Sequence, residues 1–196
     1  DLVGETFEVH RRNLEATERR LGDALQQACA LLEKARSVHV AGFRASYPVA
    51  FSFVYVYRLL RASVHLLDGQ GGTLEMQCRA MERGDALLVV AFAPYSREAL
   101  AVAQAARDAG CRIVALTDSP ASPLALLADA TLLFSLHSPS FFPSITSAVA
   151  LSEALVELLA SRAGKGVVQR IDQAEEQLFA SGAYLVAPRS RKAGRD

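Results

Sequence analysis

The chain has 196 residues, of which 51% are hydrophobic, and its 21 Lys and Arg balance 21 Asp and Glu for a formal net charge of zero. That composition supplies a sizeable core, excludes a disordered chain, and excludes the chain-wide basic field of a nucleic-acid grip. Cys29, Cys78 and Cys111 are odd in number and lack CxxC spacing, and the four histidines lack ligand spacing, so no disulfide framework, metal or other cofactor is expected.

From the N-terminus, residues 7–36 read as one helix, with Leu14, Leu21, Leu25, Ala28, Leu32 and Ala35 at steps of three, four or seven. An alternation follows. Strands are predicted at 37–43, 63–68, 86–92, 111–118 and 130–136. Helices are predicted at 47–62, 71–85, 96–110, 122–129, 142–163 and 167–182, the 122–129 helix capped by Ser122 with Pro123 at its first position. Strands nearly continuous in Val, Leu and Ile, alternating with helices, imply an α/β three-layer sandwich around a parallel sheet. Five such strands suggest the order 2-1-3-4-5. The domain reading is a leading helical segment at 1–36, an α/β domain at 37–185, and a basic, flexible tail at 186–196. The apolar runs are shorter than a bilayer span or lie beside Arg58 and Arg61, and no secretory signal is visible, so a cytoplasmic chain with no membrane partner is expected.

In this architecture ligands bind beyond the carboxyl ends of strands where the order reverses, here between strands one and three. The loops at that point are GFRAS (42–46) and APYS (93–96). Gly42 suits a tight turn, Ser46 is placed to cap the next helix, and Arg44 could meet an anion. Pro94 suits a first helical turn. Tyr95 and Ser96 would then offer free amides, with Arg97 following. Ser140, Ser144 and Ser147 lie on the approach to the long helix near the same rim. Asp68 and Asp118 end strands there and are expected to order loops or cap helices. The helix at 47–62 has almost no polar face, which predicts burial on all sides and a homodimer interface.

The segments VHVAGFRAS and GDALLVVAFAPYSREALAVAQAARDAGCRIVALTDSPASPLALLADATL, with the long helix after them, resemble the sugar isomerase (SIS) domain. More narrowly, they resemble the sensor half of RpiR/MurR-type bacterial transcription regulators. The resemblance covers about residues 35–185. It implies a phosphosugar-binding domain that forms dimers or tetramers. It also implies a helix-turn-helix upstream of Asp1, so that DNA would be bound only through a part absent from this chain. The family's second loop is commonly S-x-S-G-x-T. The matching positions here are Ala91, Phe92, Ala93, Pro94, Tyr95 and Ser96, so only the last hydroxyl is kept. In the first loop Arg44 stands where the family has a second Gly.

Three functions follow as alternatives. The chain is a sensor for a small anionic metabolite such as a sugar phosphate or carbohydrate derivative, with Gly42, Arg44, Ser46, Tyr95, Ser96, Arg97 and Ser144 at the ligand and no catalytic residue. Or it is a phosphosugar isomerase, with Glu75 or His137 carrying the proton. Or it is a SIS-like domain without a ligand.

Overall fold

The computed structural model describes residues 1–184; the basic stretch 186–196 lies outside the described residues. Five strands, β1 (Val38–Gly42), β2 (Val64–Leu67), β3 (Ala86–Val90), β4 (Arg112–Thr117) and β5 (Ala130–Leu133), form one parallel sheet in the order β2-β1-β3-β4-β5. This is the order read from the sequence. Each strand is two or three residues shorter than its apolar run suggests.

The helices are α1 (Leu2–Glu18), α2 (Ala24–Lys34), α3 (Tyr47–Leu60), α4 (Leu74–Arg79), α5 (Arg97–Asp108), α6 (Thr146–Arg162) and α7 (Lys165–Ala180). Alternate strand residues feed two cores, as the period-two geometry requires. Val38, Val40, Leu88, Val90, Val114 and Leu116 face α2, α3 and α6. Ala41, Leu87, Val89, Ile113 and Ala115 face α5 and the segment around Leu124. Side chains from both faces are thus removed from water, which is why the strands read as continuous apolar runs.

Three predicted helices are corrected. The 7–36 helix is two. Arg20 N–H bonds the Thr17 carbonyl and Leu21 N–H the Glu18 carbonyl, tightening the end of α1 into a turn, so that α1 packs on α6 while α2 packs on β5. The 71–85 helix shrinks to α4, because Gly71 (φ +67°) and Gly72 (φ +75°) are left-handed and form a 3-10 turn with Gln70. The 122–129 helix is a run of turns. Ser122 Oγ does accept from Ala125 N (3.1 Å), as a cap would. Asp129, however, exchanges bonds with Ile113 of β4, donating its N–H to the carbonyl (2.8 Å) and accepting the Ile113 N–H on Oδ2 (2.8 Å). That draws the segment into the next strand before a helix can propagate.

Helix α3 buries Val49, Ala50, Phe53, Val54, Tyr57 and Leu60. Its other side leaves Tyr47, Phe51, Tyr55 and Val56 exposed, Phe51 by 49% and Tyr55 by 55%. Burial on all sides therefore does not hold within one chain. Among the described residues no helix is long and apolar enough to cross a membrane.

Candidate ligand site at the sheet switch point

Pairing of Gly42 with Val90 sets the loops after β1 and β3 side by side. A Cβ on Gly42 would lie 2.7 Å from the Ser46 carbonyl oxygen and 2.8 Å from the Ala50 Cβ. The absence of a side chain therefore lets α3 start directly against the strand end. Close approach, and not a positive φ, is what fixes glycine here; Gly42 is not among the positive-φ residues.

Arg44 adopts φ +53°, and its guanidinium donates to Glu98 Oε1 of α5 at 3.2 Å. This pair links the two loops across the crevice. The Glu98 carboxyl is held below the usual range by its own backbone N–H at the helix start, with Arg44 adding to the effect. The Arg44 side chain is 76% exposed, and such surface pairs contribute little to stability. Arg44 can therefore exchange Glu98 for a ligand anion. Ser46 is 5% exposed. It occupies the N-cap position of α3 but makes no capping bond through its side chain, contrary to expectation, and its hydroxyl has no hydrogen-bond partner among the described residues.

In the second loop the helix begins at Arg97, three residues after Pro94, so Pro94 is not in the first turn. Ser96 is the N-cap, with Oγ accepting from Ala99 N at 3.2 Å; its hydroxyl hydrogen is not used in that bond. Arg97 is exposed. Tyr95 donates its hydroxyl to Asp118 Oδ1 (2.8 Å), which also accepts from Thr117 Oγ1 (3.2 Å), while Oδ2 accepts from Ala93 N (3.4 Å). Burial first, then the Asp118 carboxylate, pushes the Tyr95 pKa up to about 12, so Tyr95 remains a neutral donor. Asp118 thus orders the loop, as does Asp68, whose Oδ1 accepts from Gln70 N (3.0 Å) and Gln77 Nε2 (3.3 Å).

Helices α3 and α6 pack together, and both begin at the same rim. Ser144 is buried just before α6. Its hydroxyl accepts from Thr146 N (3.3 Å) and lies 3.1 Å from Thr146 Oγ1. Ser147 is fully buried and donates to the Ser135 carbonyl, while Ser140 is exposed. The structure therefore brings Gly42, Arg44, Ser46, Tyr95, Ser96 and Arg97 together on adjoining loops, with Ser144 committed to a local turn.

Glu75 and His137 are not brought together within the chain. Glu75 lies in α4 after β2, and His137 follows β5, so they follow opposite edge strands of the five-stranded sheet. Four strand spacings separate those edges by roughly 19 Å.

Sequence reasoning missed two polar clusters. At the opposite ends of the strands, buried Asp85 accepts from Arg36 Nε (3.1 Å) and Glu82 N (3.0 Å) and lies 3.2 Å from His39 Nε2, beside a cavity of about 370 Å³ that His39, His65 and Arg58 also line. The second joins Asn13 and Thr17 of α1 to Ser135. Neither has a local sequence signature, since the side-chain partners in each lie 46 or more residues apart.

The family model for the SIS domain matches residues 31–161. The chain belongs to the SIS domain family. Its fold is shared with the sugar isomerase domain of an RpiR transcription factor from Sphaerobacter thermophilus, at 24% identity and TM-score 0.84, over 89% of this chain and 98% of that one. The Vibrio vulnificus NanR protein, solved in complex with ManNAc-6P, is similar at 18% identity and TM-score 0.80 over 94% of this chain and 71% of that one. A Methanococcus jannaschii protein, described as inferring a function of 3-hexulose-6-phosphate isomerase, matches at 15% identity and TM-score 0.66 over 93% of this chain and 99% of that one. The SIS fold thus occurs here beside regulators and an inferred isomerase alike.

Proposed function

We propose that this SIS domain is the effector-sensing half of a bacterial transcription regulator. It binds a small anionic metabolite, a phosphosugar or related carbohydrate derivative, in the crevice between β1 and β3. It passes the binding to a helix-turn-helix upstream of Asp1, and it works as a homodimer through the exposed face of α3. The observation that carries the reading is the make-up of the crevice. Two helix starts, the Ser46 and Ser96 hydroxyls, Arg44 and Arg97 offer donors to an anion, whereas Glu75 and His137 follow opposite edge strands. Similarity to the RpiR domain and to NanR, the latter in complex with a sugar phosphate, supports it.

Thermal-shift screening with aldose and ketose phosphates tests it. A hydrogen bond to a charged group contributes roughly 1.5–3 kcal/mol. Ser46→Ala and Ser96→Ala should therefore each weaken the best ligand by about 10- to 100-fold. Unchanged affinity in both variants moves the site elsewhere. The second reading, a phosphosugar isomerase, draws on the inferred isomerase among the similar folds. Turnover of any sugar phosphate that disappears in Glu75→Gln would replace the sensor with the enzyme.

A further inference from the structure

Asn13 and Thr17 are 1% and 4% exposed, four residues apart on one face of α1. Polar side chains so buried are costly unless paired, and both are paired to one segment. Thr17 Oγ1 accepts the Ser135 N–H (2.9 Å), Asn13 Oδ1 accepts the Ser135 hydroxyl (2.8 Å), and Asn13 Nδ2 donates to the His137 carbonyl (2.7 Å). Ser147 of α6 donates to the Ser135 carbonyl. Every polar group of Ser135 is therefore held by a side chain of α1 or α6.

The preceding residue, Phe134, is 1% exposed and meets Phe92 edge to face, with ring centroids 6.2 Å apart. Phe92 belongs to the loop that carries Ser96. A continuous buried path runs from that loop through Phe92, Phe134 and Ser135 to α1.

We propose that Asn13 and Thr17, acting through Ser135, are positioning residues that couple the crevice loop 91–96 to helix α1, so that a guest in the crevice changes how α1 is held. The proposal rests on the sensor reading above. Its physical basis is the difference between the two kinds of contact on the path. Close-packed rings transmit a displacement because they have no free volume. Directional hydrogen bonds in a buried network do not slide to absorb it. Coupling of this kind is reciprocal, so it can be read from either end without a ligand.

Amide hydrogen exchange by mass spectrometry on the full chain tests it. Thr17→Val keeps the side-chain shape and removes the acceptor, and Asn13→Ala removes both bonds to the segment. Each should speed exchange about threefold or more in the 91–100 peptide while leaving the far half of α5 unchanged. In return, Phe92→Leu should speed exchange in α1 around residues 13–17. Change confined to 135–137, or spread evenly over all peptides, overturns the coupling. Glucosamine 6-phosphate is the probe for the ligand-bound arm. If it binds and wild-type α1 exchange stays constant, the coupling fails and the sensor's ligand reading survives. If neither it nor any other sugar phosphate binds but the variants show the reciprocal effects, the coupling stands and the sensor reading fails.

Discussion

Gly42 shows how one absent side chain sets the site. Its hydrogen is the only substituent that fits between β1 and the first turn of α3. Gly42→Ala should cost about 1–3 kcal/mol in urea unfolding, the range for forcing an extra carbon into a packed position, and should displace the Ser46 hydroxyl as α3 shifts. A cost near zero would mean that the turn relaxes freely. Asp85 governs the other end of the strands. Burial alone would raise its pKa, but the Glu82 N–H, Arg36 and His39 outweigh that and hold it below its ordinary 3.8. The ionised carboxylate therefore contributes stability at and above the unfolded value, and that contribution is lost as the pH falls through the lower folded one. Acid unfolding of the wild type should steepen below pH about 4. Asp85→Asn should be about 1–3 kcal/mol less stable at neutral pH and should show a flatter acid limb. Parallel curves for the two proteins would exclude Asp85 as the source.

At the scale of the element, α3 has one face in the core and a second made of Tyr47, Phe51, Tyr55 and Val56. An aromatic side chain buries about 150–250 Å² when covered, so covering this face, as the proposed homodimer does, would remove a large apolar area from water. Phe51→Glu places a charge in that interface. Light scattering should show the wild type as a dimer or larger and the variant shifted toward monomer at micromolar concentration. A monomeric wild type would remove the interface. Elements also mark the limit of what the sequence discloses. The strands were legible because a sheet covered on both faces demands unbroken Val, Leu and Ile. The division of 7–36 was not, because the apolar steps continue through it. Leu14, on the expected apolar stripe, is 39% exposed, while Asn13 beside it is buried. Periodicity counts Asn as polar and cannot see partners 122 and 124 residues away. Ser122-Pro123 carries a true cap signal and its bond forms, but the Asp129–Ile113 exchange wins over helix propagation.

Across the whole molecule the sheet divides at the switch point. Residues 38–67 supply β1 and β2, residues 86–133 supply β3, β4 and β5, and the strands of the two parts pair only along the β1–β3 ladder. The loops of the crevice belong one to each part. That position was legible from strand order alone. The hydrogen bonding of each hydroxyl was not, because Ser46 and Ser144 both stand at the entry to a helix, yet Ser144 bonds to Thr146 and Ser46 makes no capping bond. The Arg44–Glu98 pair has a mechanical consequence. It is a stitch across a seam, and a guest held by Arg44 on one side and Ser96 on the other would be a rivet in the same place. Binding should then slow the parting of the two half-sheets, protecting the amides of the β1–β3 ladder more than those of β3–β4, and the gain should grow with ligand concentration as mass action requires.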